Sequence, residues 1–132
     1  MIRERALKVV LVLLGLIFVA FLYPIAMYLW RPGNESPGDA MMMSLYVTLG
    51  FFLLLAVRNP SAYRSLIAYA GWANIAHATV MALMAIHPAS DRRALLLATA
   101  IFGSIGITLV GLIPARASAE RVSATVGVIK TA

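Results

Sequence analysis

Asn74 and His77 lie three positions apart inside the apolar run AYAGWANIAHATVMALMAIH (68–87), where an amide and an imidazole are out of place. An imidazole can carry a proton or ligate a metal near neutral pH, and a carboxamide beside it both donates and accepts hydrogen bonds. In an apolar span such groups either tie helices together or line a small polar cavity. Both readings stay open on the sequence. The first makes Asn74 and His77 hydrogen-bonding glue; the second makes His77 a proton carrier or ligand contact.

A second pattern runs along the same segment. His77, Met81, Met84 and His87 follow one another at i, i+4, i+7 and i+10, and thioether and imidazole are soft donors that suit Cu(I). Methionine is also a flexible filler of apolar gaps, and no M-x-x-M or H-x-x-M pattern recurs in several segments, so no metal or cofactor is expected. The two histidines cannot be the two axial ligands of a single haem, because residues ten apart on one helix stand roughly 15 Å apart. No carboxylate falls within an apolar segment, which removes paired-carboxylate chemistry. No P-loop, dinucleotide fingerprint, HExxH or GxSxG occurs either. The expectation is a non-enzymatic structural or interaction module that oligomerises or binds a membrane partner, with a small transporter, channel or sensor built around His77 as the alternative.

The elements that hold these residues are read from hydropathy. Of the 132 residues, 62% are hydrophobic and 12% charged. A soluble domain carries about 25% charged residues, so this chain cannot cover a water-facing surface. Four apolar segments stand out, at about 7–30, 40–57, 61–87 and 94–113. Each approaches or exceeds the ~18–20 residues that a helix needs to cross ~30 Å of hydrocarbon. The first segment is longer than the ~7–15 residues of a signal-peptide core and reads as a permanent span. The fold class expected is all-α, an integral membrane four-helix bundle, with residues 1–113 as the membrane domain. Residues 114–132 are then a tail, disordered or forming a short interfacial helix around Val122, Val126 and Ile129. No internal sequence repeat is evident.

The breaks have their own signals. RPGNESPGD, from Arg31, reads as a loop. Asn59-Pro60 suits a helix start, with Asn59 as cap and Pro60 in the first turn. Pro88 ends the third span, Ser90 or Asp91 is placed to cap the fourth, and Pro24 should bend the first.

The net charge of +6 could suggest nucleic acid, but the basic residues lie between apolar runs and form no single patch. They fit membrane topology better. Arg3, Arg5, Lys8, Arg58, Arg64, Arg116, Arg121 and Lys130 fall on one side, whereas Arg31, Arg92 and Arg93 share the other with Glu35, Asp39 and Asp91. The positive-inside rule then puts both termini and the Arg58–Arg64 turn in the cytoplasm. The chain has no cysteine, so disulfides and thiolate sites are absent.

Folding the hairpins flat at equal rise per residue sets Ser44 level with His77 and Thr48 level with Asn74. Ser104 and Thr108 match the same two heights from the fourth span, and Tyr23 joins them from the first. The spans are thus expected to share a mid-membrane polar band. On the fourth span Ala100, Ser104 and Thr108 repeat at i, i+4 and i+8 beside Thr99 and Gly103, a small-residue face suited to close contact within the bundle or in a homo-oligomer.

RERALK (3–8), YP (23–24), RNPSAYRSLI (58–67) and ANIAHATVM (73–81) together resemble a family of small, uncharacterised bacterial membrane proteins, a domain of unknown function. The resemblance covers roughly the first two-thirds of the chain. It implies four helices in the bacterial cytoplasmic membrane and brings no activity, cofactor or catalytic residue. It does make Arg58, Asn59, Pro60, Arg64 and His77 the residues to test.

Overall fold

The structure, a computed structural model, describes residues 2–31, 33, 36–86, 91–114 and 126–130. It is all-helical, with no strand among the described residues: α1 (Ile2–Ala20), α2 (Leu22–Trp30), α3 (Pro37–Ala56), α4 (Arg64–Ile86) and α5 (Arg92–Leu112). With α1 and α2 taken as one stretch, four helices are long and apolar enough to cross a membrane. Residues 126–130 form a further helical turn, with Val126 and Ile129 exposed. His87, Ser90, Arg116, Arg121 and Val122 lie outside the described residues, as does Glu35.

Local chemistry explains the boundaries. Pro24 has no N–H to give to the carbonyl one turn back, and the chain tightens just before it, Phe21 donating to the Phe18 carbonyl at 3.2 Å. The first span therefore breaks at Phe21, where the proline predicts a bend. Ser36 caps α3 by accepting from the Gly38 N–H at 3.2 Å, with Pro37 opening the helix inside the segment expected to be loop. Asn59 Oδ1 accepts from the Ala62 N–H at 3.3 Å, the contact expected of a cap. The regular helix nonetheless starts only at Arg64, later than hydropathy suggested. Asp91 precedes α5 but makes no side-chain cap bond, and Ser90, the other residue expected to cap it, lies outside the described residues.

Packing divides the chain into two hairpins, α1 with α3 and α4 with α5. Each hairpin closes on a pair of glycines. A Cβ on Gly50 would stand 2.9 Å from the Gly15 carbonyl oxygen, and one on Gly15 would stand 2.7 Å from the Leu54 side chain. A Cβ on Gly106 would stand 2.8 Å from the Gly71 carbonyl oxygen, and one on Gly71 would stand 2.8 Å from Val110 Cγ2. Without a side chain at these positions, the helix backbones can touch.

The two crossings are the same crossing. Gly71 and Gly106 follow Gly15 and Gly50 at one offset of 56 residues (71 − 15 and 106 − 50). The offset carries Leu54 onto Val110 and Val19 onto Ile75, the neighbours that a Cβ would meet in each hairpin. It also carries Leu11 onto Ile67 and Leu53 onto Leu109, all four of them 0% exposed. The second hairpin thus repeats the first in space, although the sequence shows no repeat. Exchanging the hairpins maps the α1–α5 contact onto the α3–α4 contact, as a twofold relation requires, and both contacts are much sparser than those within a hairpin.

The core lies along this seam: Leu7, Leu11, Leu14, Phe18, Leu53, Ile67, Ala70 and Leu109. The outer surface is apolar as well, with Leu13, Leu16, Phe51, Leu97 and Ile107 all more than half exposed. At the end that holds the N-terminus, Arg3 donates to the carbonyls of Gly111 (2.8 Å) and Ile113 (3.2 Å), and Arg64 Nε donates to that of Pro114. Two guanidinium groups thus satisfy carbonyls that the end of α5 leaves open.

Candidate functional site

One face of α4 holds Asn74 and His77. Ala70, Asn74 and Ala78 are buried, while Ala73, His77 and Met81 are half-buried. Asn74 is 0% exposed, and its Nδ2 donates to the Ala70 carbonyl one turn back at 2.7 Å. Its Oδ1 has no partner. His77 Nε2 is likewise enclosed and unpartnered. A buried polar atom left unpaired costs ~1–3 kcal/mol, so this pair is an expense for the fold.

Ring edges hold the imidazole. His77 meets Phe102 of α5 at 4.8 Å and 81°, and Tyr46 of α3 at 5.8 Å and 64°. Tyr46 also packs edge-on to Phe18 at 4.9 Å. Such T-shaped pairs place the positive edge of one ring against the negative face of another.

The internal repeat explains what these positions are. The 56-residue offset sets Asn74 on Phe18, His77 on Phe21 and Phe102 on Tyr46. Phe21 meets Tyr46 edge-on at 6.3 Å and 78° in the first hairpin, and His77 meets Phe102 in the same manner in the second. Two sites that take phenylalanine in one half take an amide and an imidazole in the other.

A cavity of about 510 Å³ opens beside His77 between α3 and α4. Tyr46, Thr48 and Leu49 line it from α3, and Tyr69, Ala73 and His77 from α4. Its border carries Leu45, Phe52, Tyr69 and Val80, each about half exposed or more, so it faces the outer surface of the bundle. No charged residue lines it among those described.

The expected polar band does not assemble. Ser44 Oγ donates to the Met41 carbonyl at 2.6 Å, Thr48 to Ser44 at 3.1 Å and Ser104 to Ile101 at 2.8 Å, each within its own helix. Thr108 is exposed, and Tyr23 is 73% exposed. Only Thr48 shares the cavity with His77. Equal height is not equal facing: all five sit on outward faces, and the hydroxyls of Ser44, Thr48 and Ser104 turn back onto their own backbone. Interhelical hydrogen bonding by Asn74 and His77 is corrected with them, because neither bonds to another helix.

The other sequence features separate similarly. Met81 is half-buried and Met84 exposed, His87 is outside the described residues, and no three His, Asp or Glu side chains gather among those described. Ala100, Ser104 and Thr108 form an exposed stripe on α5, but Gly103 leaves it and faces Ala78, whose Cβ would be 3.8 Å from a Cβ on the glycine. In the turn before α4, Arg58 and Asn59 are exposed, Pro60 is buried and Arg64 reaches Pro114.

Sequence reasoning missed Tyr46, Tyr69 and Phe102, and it missed all four crossing glycines. A signal for the glycines exists: Gly15 to Gly50 and Gly71 to Gly106 are the same distance apart, 35 residues (50 − 15 and 106 − 71).

Comparison with known proteins gives a family of unknown function, DUF6632, which matches residues 3–125. No curated protein and no solved structure matches the chain.

Proposed function

The chain belongs to this family of unknown function, and from that premise we propose that it is a non-enzymatic binding module of the bacterial cytoplasmic membrane. It crosses four times with both termini cytoplasmic, and its binding site is the cavity between α3 and α4. Residues 1–113 make the membrane domain and 114–132 the cytoplasmic tail.

The observation that carries the reading is the unpartnered imidazole beside an uncharged cavity that faces the outer surface. Concave, mostly apolar sites with few polar groups are where small molecules bind. Among the described residues no carboxylate or hydroxyl bonds to His77 Nε2, the contact by which a base is oriented. The direction of threading rests on charge: Arg3, Arg5, Lys8, Arg58 and Arg64 cluster at one end, against Arg31, Arg92 and Arg93 accompanied by Asp39 and Asp91.

The test is photocrosslinking in native membranes, with a benzophenone amino acid at Tyr69 on the cavity border and, as control, at Leu97 on the outer face of α5. A discrete small-molecule adduct at position 69, absent at 97, supports a site. Identical bulk-lipid adducts at both positions would end this reading.

A second reading, self-assembly, is favoured by the exposed stripe of Ala100, Ser104 and Thr108, whose small side chains would let another helix approach closely. Ser104→Leu should then reduce the dimer fraction in lipid, and an unchanged monomer–dimer ratio would remove it.

A further inference from the structure

We infer that the cavity between α3 and α4 takes a neutral, lipid-soluble ring compound bearing a hydroxyl or carbonyl, the headgroup chemistry of an isoprenoid quinol or quinone, held by His77. This rests on the binding-module reading and specifies its ligand.

The repeat supplies an internal control. Phe21 occupies in the first hairpin the position that His77 occupies in the second, with the same edge-on contact to the equivalent ring. The fold accepts a phenylalanine there, so packing does not require the imidazole. The enclosed, unpartnered Nε2 is a net cost to the fold, and the same imidazole lines the cavity, where Nδ1, the ring nitrogen that is not enclosed, can meet a hydrogen-bonding ligand.

The lining sets the ligand's class. With no charged residue around it, the cavity gives an ion or ionic headgroup nothing to pair with, and burying an unpaired charge is prohibitively costly. The ligand is therefore neutral. A volume of about 510 Å³ exceeds what a water or two would need and lies in the range of ring-sized ligands. Tyr46, Phe52, Tyr69 and His77 contribute ring faces and edges for a planar guest. Entry is lateral, past Leu45, Phe52 and Val80, through the surface that faces lipid in the binding-module reading.

The imidazole also fits both forms of such a headgroup. In either neutral tautomer one nitrogen donates and the other accepts, so a quinone carbonyl and a quinol hydroxyl can each be met. The inference concerns binding and involves no electron transfer.

The experiment uses the full chain in nanodiscs, titrated with decylubiquinone and with its quinol, beside empty nanodiscs and dioleoylglycerol as a neutral lipid without a ring. Saturable binding above the empty-disc partition is expected, weakened about tenfold or more in His77→Phe, the scale of one lost buried hydrogen bond. His77→Phe should keep the thermal midpoint of the parent, because it copies the first hairpin. Should it fail to fold, Ala73→Leu, which fills the cavity without touching the imidazole, is expected to weaken binding instead. Binding no stronger than partition, binding unchanged in both variants, or equal competition by dioleoylglycerol overturns the ring-compound assignment. If the assignment fails while the Tyr69 photoadduct persists, the cavity is still a site with another ligand; if the adduct is also absent, the binding-module reading falls.

Discussion

Tyr46 and Phe102 stand ring to ring at 5.4 Å and 50° across the seam between the hairpins, and they occupy the same position in each. The pair maps onto itself when the hairpins are exchanged, so it flanks the pseudo-twofold axis. Around it the two halves differ. Phe18 and Phe21 surround the tyrosine side, and Asn74 and His77 the phenylalanine side. The site is therefore a departure from an internal symmetry.

The glycine crossings are tight to unequal degrees. A Cβ on Gly106 would sit 2.8 Å from the Gly71 oxygen and 3.0 Å from the Ile75 nitrogen, both backbone atoms, whereas one on Gly15 mainly meets the end of Leu54. Gly106→Ala should cost ~1–3 kcal/mol through overpacking, more than Gly15→Ala. Gly111→Ala, with nothing within 4 Å, should be neutral or slightly stabilising. Thermal midpoints in one detergent order the three variants, and a Gly106→Ala variant as stable as the parent would refute the close approach.

Asn74 gives up stability at its unpaired Oδ1. Asn74→Leu, with the same number and branching of side-chain heavy atoms, removes that atom and should raise stability by ~1 kcal/mol or leave it unchanged. A loss of more than about 2 kcal/mol by this measure would mean that the amide has an essential hydrogen-bonding role in the fold.

His77 should tell ring from polarity. His77→Ala loses the contacts to Phe102 and Tyr46 and is expected to destabilise by about 1–3 kcal/mol. His77→Gln keeps hydrogen-bonding capacity without a ring and should not recover that loss, whereas His77→Phe should. Recovery by glutamine alone would reverse the conclusion that ring edges hold this position.

Threading can be read by labelling, because the chain has no cysteine to remove. Ser61→Cys and Asp39→Cys place single thiols at exposed positions on opposite ends of the bundle. An impermeant maleimide applied to intact cells should label position 39 and spare 61. The reverse pattern would invert the topology.

How much of this could be read in advance differs by level. The four long apolar helices were legible because uninterrupted apolar runs of this length favour helix, and the Pro24 break because a missing N–H acts locally. Ser44, Thr48, Ser104 and Thr108 misled because counting residues from a turn gives height along a helix but not its rotation about its own axis, and the first three hydroxyls bond their own backbone. The repeat was hidden because a membrane hairpin needs only apolar outer faces and a glycine at each crossing. Leu11 and Ile67 serve equally well at one place, as do Leu54 and Val110, so little identity survives for the eye to find.

The doubled hairpin carries a consequence for what the seam can hold. Were each hairpin a separate chain pairing with its own copy, any substitution would arrive twice, once on each side of the axis. A buried amide and imidazole would then be matched by a second amide and imidazole, doubling their cost and placing like groups across from one another. Having both hairpins on one polypeptide lifts that constraint. One flank keeps its phenylalanines and bears the packing, and the other is left at liberty to specialise.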